Sequence, residues 1–440
     1  MVIAAVIGLV LRWWDLGGPG ASFDEMFTGA YSHLPVTDIF GALRNHDSHP
    51  PLDYLVRHWF GASGDTLALR VPSAVWASLA LLAVLWWMWD RGWFGVAVVA
   101  ITSLSSVELL YAHQARMYAF AILAGTVIAI ASERWLADGS PRWRWLAGAT
   151  LTLALFDHAS ALFLVPALVL VPGRRSDGES WRWRATAAAA VVIWAVVWGP
   201  SFLSQMRADP SSWIPLTTAH HAVTTVGGLM TLYAGTAVIV TLLLAVAWWF
   251  LREEFPHLSW VWVALFVVPA AMAVVVGLHA HILLTRTLAI AAWAPPVALA
   301  ALIERARRHS IPVLALCVVI VALLVVPSVK PSVAFDEGTS SLPATVAEHV
   351  PTGDAVAFHP AWLAPEAQWS LAAPWHPVVP PALQGLDAYV YVVGGGDFSG
   401  RVWVLQPDTY ALDTGSLVAC DVAPMHIGDS SLQCFEVAGT

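Results

Sequence analysis

Long unbroken apolar runs, each closed by charges or by Gly and Pro, fill the first three quarters of the chain. They predict helices near 2–14, 71–89, 93–109, 117–136, 145–156, 159–171, 185–199, 232–251, 259–278, 287–303 and 311–327. The fifth and sixth runs are short for a bilayer of about 30 Å, which takes roughly 20 residues to cross. They are expected to form a helix pair turning at Asp157–His158. The first run is short as well. A cleaved signal peptide carries its positive charge before the apolar core, whereas Arg12 follows it, so an uncleaved first helix is expected. A transmembrane β-barrel is excluded, because its strands alternate apolar and polar residues and stretches such as Ala185–Val197 do not.

Near residue 330 the pattern changes. Pro, Gly and Asp become frequent, and short apolar strings such as Ala388–Val393 and Val402–Leu405 predict strands. The expected architecture is an all-α polytopic membrane protein of about 11 transmembrane helices over 1–329. A small α/β domain follows over 330–440.

Composition agrees. Of 440 residues 58% are hydrophobic and 12% charged, with a mean hydropathy of +0.68. That is half the charge an ordinary soluble domain uses to cover its surface, so the soluble classes are excluded. A net charge of −9 argues against a nucleic-acid partner. With the N-terminus inside, the inside loops hold twelve of the 21 Lys+Arg and the longer outside loops seven, leaving Lys330 and Arg401 in the tail. The positive-inside rule favours this orientation and puts the tail outside the cytoplasm. Trp pairs at Trp13–Trp14, Trp86–Trp87 and Trp248–Trp249 fall at predicted helix ends, as an aromatic belt does. Cys420 and Cys434 would then lie in an oxidising compartment, where they are expected to pair as a disulfide.

Candidate chemistry gathers in the outside loops. The first holds Asp24-Glu25 just past the first helix, then His46, Asp47 and His49-Pro50-Pro51-Leu52-Asp53-Tyr54. Carboxylates held at a membrane surface against apolar walls can serve as bases. The second holds Glu108 and Gln114-Ala115-Arg116-Met117-Tyr118. An Arg at a helix mouth is a planar, permanently charged phosphate ligand. A later loop adds His279, His281 and Arg286. Asp157–His158 is a weaker candidate, as a site pair or a polar cap between short helices.

This ordered set resembles the GT-C superfamily of membrane glycosyltransferases, in particular the branch of protein O-mannosyltransferases and the lipid A aminoarabinose transferase. The resemblance rests on Asp24-Glu25, on the His49–Tyr54 string, on Gln114–Tyr118, and on Arg286 followed by Pro295-Pro296, with Thr287 where that branch usually has Tyr. It covers about residues 1–330. It implies an inverting glycosyltransferase that moves a sugar from a polyprenyl-phosphate donor to a hydroxyl acceptor on a glycan, lipid or protein, at the outer face of the cytoplasmic membrane. It gives Asp24 the role of base, with Glu25 beside it. Arg116 and Arg286 are expected to bind the donor phosphate, and His46, His49, Tyr54, Gln114, His279 and His281 to contact donor or acceptor. No cofactor is required: a divalent ion suits carboxylates beside His, but a monophosphate met by Arg does not need one. The alternative is a transporter or flippase of lipid-linked sugars, which calls for charges in mid-helix. A scaffold built on the tail domain is a third class, and it gives the acids and arginines no role.

Overall fold

The structure, a computed structural model, describes residues 1–18, 20–47, 49–60, 65–174, 180–208, 214–230, 234–309, 337–410, 413, 417–427 and 429–437. The chain divides into two compact units. The first comprises Met1–Leu16, Val36–Val56 and Arg70–Pro331, and the second Gly17–Pro35, Arg57–Leu69 and Ser332–Thr440.

The helices run in chain order as α1 (Val2–Trp13), α2 (Phe23–Ser32), α3 (Val36–His46), α4 (Leu52–Trp59), α5 (Thr66–Met88), α6 (Gly92–Leu104), α7 (Ser106–Ala112), α8 (Tyr118–Asp138) and α9 (Pro141–Asp157). A 3-10 turn at Ala159–Phe163 leads into α10 (Leu164–Leu170). Next come α11 (Ser180–Val197), α12 (Gly199–Ala208), α13 (Ala219–Gly227), α14 (Ala234–Glu254), α15 (Pro256–Trp262), α16 (Val268–Gly277) and α17 (Ala294–His309).

The protein is a mostly helical, multi-pass membrane protein, but the eleven expected crossings are not all found. Among the described residues three spans are long and apolar enough to cross unaided: Thr66–Met88, Tyr118–Asp138 and Pro256–Gly277. Three bent pairs raise the number to six if each pair is one span: Gly92–Leu104 with Ser106–Ala112, Ser180–Val197 with Gly199–Arg207, and Thr285–Ala291 with Ala294–Arg308. The bends are 49°, 67° and 65°. Two of the breaks have a plain chemical cause. Gly199–Pro200 and Pro295–Pro296 each follow a break, and Pro cannot donate the backbone hydrogen bond that would carry a helix through it. Proline suits the first turn of the next helix instead. The first apolar run, α1, and the sixth, Ala159–Leu170, are helical but short. The expected eleventh helix, 311–327, lies outside the described residues.

The second unit contains the predicted strands. They are β1 (Ala355–Phe358), β2 (Tyr389–Val392), β3 (Arg401–Pro407), β4 (Leu417–Ala419), β5 (Met425–Ile427) and β6 (Ser430–Val437). The sheet order is β2-β1-β3-β6-β4, with β5 also on β6. β1 and β3 run parallel and the other pairs antiparallel. Alternation along the strands splits the core into two faces. Val356, Phe358, Tyr391, Trp403 and Leu405 pack with α18 (Glu337–His349) and α19 (Ala364–Ser370). Ala355, Ala357, Val390, Val402 and Val404 form the other face with Leu383. Cys420 and Cys434 are joined by a disulfide, their Cα atoms 5.4 Å apart.

Helix α2 belongs to this second unit and packs on α19. A Cβ on Gly29 would stand 2.3 Å from the Trp369 ring, so only glycine permits the approach. Ring contacts continue along the helix: Phe23 with Trp362, Tyr31 with Trp375 and His33 with Trp369.

Candidate functional site

The chemistry is divided between the two units. In the second unit, Ser22 caps α2 and Glu25 completes a capping box. Glu25 Oε2 accepts from the Ser22 backbone N–H at 3.0 Å and from its hydroxyl at 3.2 Å, while the Glu25 N–H donates to Ser22 Oγ at 3.4 Å. The Glu25 side chain is fully buried. Asp24 is only half-buried, in the first turn, where a helix N-terminus stabilises negative charge. The two adjacent acids therefore do different work: one ties down the helix start and the other reaches partway to solvent.

In the first unit, the Pro50–Pro51 step sets the entry of α4, whose first turn carries Tyr54 back over the preceding loop. Tyr54 Oη donates to Asp47 Oδ2 at 2.5 Å, and His49 Nδ1 lies 2.9 Å from Asp47 Oδ1. Beyond His49 the rings continue in sequence. His49 to His158 is 5.4 Å between centroids, His158 to Tyr118 is 5.6 Å, and Tyr118 to Tyr111 is 4.8 Å. Arg116 is buried in the turn before α8, and Arg286 is half-buried in the 3-10 helix Thr285–Ala291.

The electrostatics tie these groups together. Burial works against the Asp47 carboxylate, yet His49, Arg116 and the Tyr54 hydroxyl outweigh it and hold its pKa below the usual carboxylate range. Burial and then Asp47 push the Tyr54 hydroxyl well up. Burial, followed by His49, Arg116 and Arg286, pushes His158 well below the ordinary imidazole value, with Asp47 opposing. Hydrogen bonding agrees: His158 Nδ1 accepts from the Ser160 backbone N–H at 3.0 Å, so the proton of the neutral ring stands on Nε2. Two guanidiniums thus act on one half-buried, neutral histidine. Such a centre resists further positive charge and favours an anion.

A cavity of about 320 Å³ adjoins this centre, lined by Leu110, Tyr111, His221, Thr224, Leu284 and Thr285 among others. Arg12 and Glu108 form a buried ion pair at 2.7 Å, and Arg12 also donates to Gly8 and Thr102 carbonyls. These charges satisfy each other inside the helices, which is not the open row of charges that a transport path needs.

The remaining expected contacts are placed as follows. Gln114 is half-buried beside Arg116, and its carbonyl accepts from the Arg116 N–H at 2.8 Å. His281 Nδ1 is held on the Ile214 carbonyl, and His279 is exposed. His46 ends α3, and its side chain lies outside the described residues. Asp47 and His158 are the members that sequence reasoning underweighted. Asp47 was visible inside the His46–His49 string, and His158 only as half of an acid–imidazole pair far along the chain. Among the described residues no group of three or more His, Cys, Asp or Glu could hold a metal ion.

No protein-family model matches the sequence, and no curated protein matches it. Solved structures do match. The crystal structure of ArnT from Cupriavidus metallidurans bound to undecaprenyl phosphate is 12% identical, with 98% of this chain and 97% of that one covered and a TM-score of 0.61. The apo state of ArnT from the same organism is 14% identical over the same shares, with a TM-score of 0.60. Over nearly its whole length the chain therefore has the fold of these two ArnT structures.

Proposed function

We propose that this protein is an inverting glycosyltransferase that moves a sugar from a polyprenyl-phosphate donor to a hydroxyl acceptor at the outer face of the cytoplasmic membrane. The observation that carries this reading is the joint electrostatic action of Arg116 and Arg286 on the half-buried His158, in a fold whose ArnT counterpart was crystallised with undecaprenyl phosphate. The donor's phosphate is placed on the two arginines, and its sugar in the adjoining cavity, where the hydroxyls of Tyr111, Thr224 and Thr285 offer partners. Asp24 is the base, since Glu25 is engaged in the helix cap.

The step balances. Asp24 takes the acceptor's hydroxyl proton, the oxygen attacks the anomeric carbon, and the bond from that carbon to the phosphate oxygen breaks with inversion. The leaving polyprenyl phosphate has a second pKa of about 6, so it departs without an acid. It needs charge stabilisation, which fixed guanidiniums give at little reorganisation cost. The branch resembled is that of the protein O-mannosyltransferases and the aminoarabinose transferase.

Lipid mass spectrometry of the purified full-length protein, before and after addition of glycan, lipid or peptide acceptors, tests the reading. A retained polyprenyl-phosphate sugar that is consumed when an acceptor is added supports it. Retention of such a donor with net transport across sealed vesicles and no transfer product would overturn it in favour of a flippase. The proposed orientation is checked by a C-terminal reporter active only in the cytoplasm, which should stay silent.

A further inference from the structure

A second cavity, of about 360 Å³, lies at the far end of α8 from Arg116. Helix α8 has 21 residues. At 1.5 Å per residue that puts the two ends roughly 30 Å apart, about one bilayer core. The cavity is lined by Trp86, Trp89, Asp90, Arg134, Asp138, Arg142 and Trp143. It thus sits where two membrane-spanning helices, α5 and α8, both end.

Its chemistry has two signs. The Arg134 guanidinium lies 5.3 Å from the Trp86 ring centre and the Arg142 guanidinium 4.7 Å from that of Trp143. The two indoles stand 6.3 Å apart and are tilted by 41° to each other, with a cation over each ring. Arg134 Nε is buried and has no hydrogen-bond partner. Of the acids, Asp138 accepts from the Ser140 N–H at 2.7 Å and the Trp143 indole at 3.0 Å, with Arg142 at 3.7 Å. Asp90 stands exposed on the rim. The neighbouring Arg91 is turned away, bonded to Glu133 at 2.6 Å. The tryptophans Trp86 and Trp89 are more than half exposed, as interfacial residues are.

We propose that this cavity binds the phosphoethanolamine headgroup of a membrane phospholipid. The phosphate is met by Arg134 and Arg142, the ammonium by Asp90, and the glycerol and upper acyl carbons by the indole edges. A purely anionic headgroup would meet the exposed Asp90 carboxylate with no cation to offer it. A quaternary ammonium offers no N–H to Asp90, and the indole faces it would prefer already carry guanidiniums. The primary ammonium fits both constraints.

The test is native mass spectrometry of the full-length protein from detergent micelles holding equal amounts of phosphatidylethanolamine, phosphatidylcholine and phosphatidylglycerol with identical acyl chains. Phosphatidylethanolamine should be retained about fivefold over phosphatidylcholine, the upper end for an exposed ion pair. Asp90→Asn, a surface change that leaves the core intact, should bring that ratio close to one, and Arg134→Gln should lower retention of both. Equal retention in the unmodified protein, preference for phosphatidylglycerol, or a ratio that survives Asp90→Asn overturns the proposal. Millimolar glycerophosphoethanolamine should not displace the lipid. If it does so at lipid-like affinity, the site takes a soluble phosphoester and the membrane assignment falls.

Discussion

The Tyr54 hydroxyl and the Asp47 carboxylate meet at 2.5 Å, and the second oxygen of that carboxylate holds His49. One carboxylate thereby fixes two members of the His49–Tyr54 string. Tyr54→Phe removes a hydrogen bond to a charged group, which typically contributes about 1.5–3 kcal/mol. The native Asp47 pKa lies below its unfolded value, so its contribution is present above that unfolded value and is lost as pH falls through the folded one. In Tyr54→Phe the folded pKa rises towards the unfolded value, so the acid loss should be smaller and be complete at a higher pH. Melting midpoints from pH 7 to pH 3 check this, and superimposable curves would count against it.

His158 gives the opposite kind of titration. Its folded pKa is well below 6.5, so below about pH 6.5 the unfolded chain binds more protons and stability falls as pH drops towards the folded value. His158→Asn should flatten the melting midpoint between pH 7 and pH 5.5. An unaltered slope would mean that His158 is not the group responsible.

The adjacent acids should separate cleanly. Asp24→Asn keeps shape and removes the proposed base, so turnover should fall about 10²–10⁴-fold with donor binding retained. Glu25→Gln disturbs the cap, and its first effect should be on stability, at about 0.5–2 kcal/mol. Near-normal turnover in Asp24→Asn sinks the assignment and moves attention to Asp47 and Glu108.

Arg116→Lys keeps one positive charge and loses the planar fork. It should weaken donor binding and slow turnover, and Arg116→Ala should do so more severely. Unchanged donor affinity in the alanine variant would leave Arg116 as a membrane anchor only.

The Cys420–Cys434 bridge closes a loop of 14 positions, worth about 3 kcal/mol by chain entropy. Protein taken from its native compartment should resist alkylation at both positions until reduced. Free thiols at both would refute the pairing.

How much of this the sequence disclosed depends on the range of the interaction. The apolar runs located the helices because burial in lipid demands unbroken hydrophobicity. The strands Tyr389–Val392 and Arg401–Pro407 followed from local β-propensity. The crossing number did not follow. Hydropathy continues across Trp198 and Trp293 while the prolines just beyond redirect the backbone. Within the site, the Asp47–Tyr54 clasp lay inside one short string, whereas His158 joins it through packing between distant helices. Least legible was the allegiance of α2, decided by Gly29 against Trp369 far along the chain.

That allegiance matters to anyone cutting or grafting this molecule. A chimera joined near residue 330 would divide one folded body, leaving Phe23, Gly29 and Tyr31 without the tryptophans they were shaped against. The transplantable module is discontinuous, Gly17–Pro35 and Arg57–Leu69 together with the strand-bearing tail. An exchange of soluble domains between relatives therefore exchanges the proposed base as well, and recipients inherit the donor protein's acid along with its sheet.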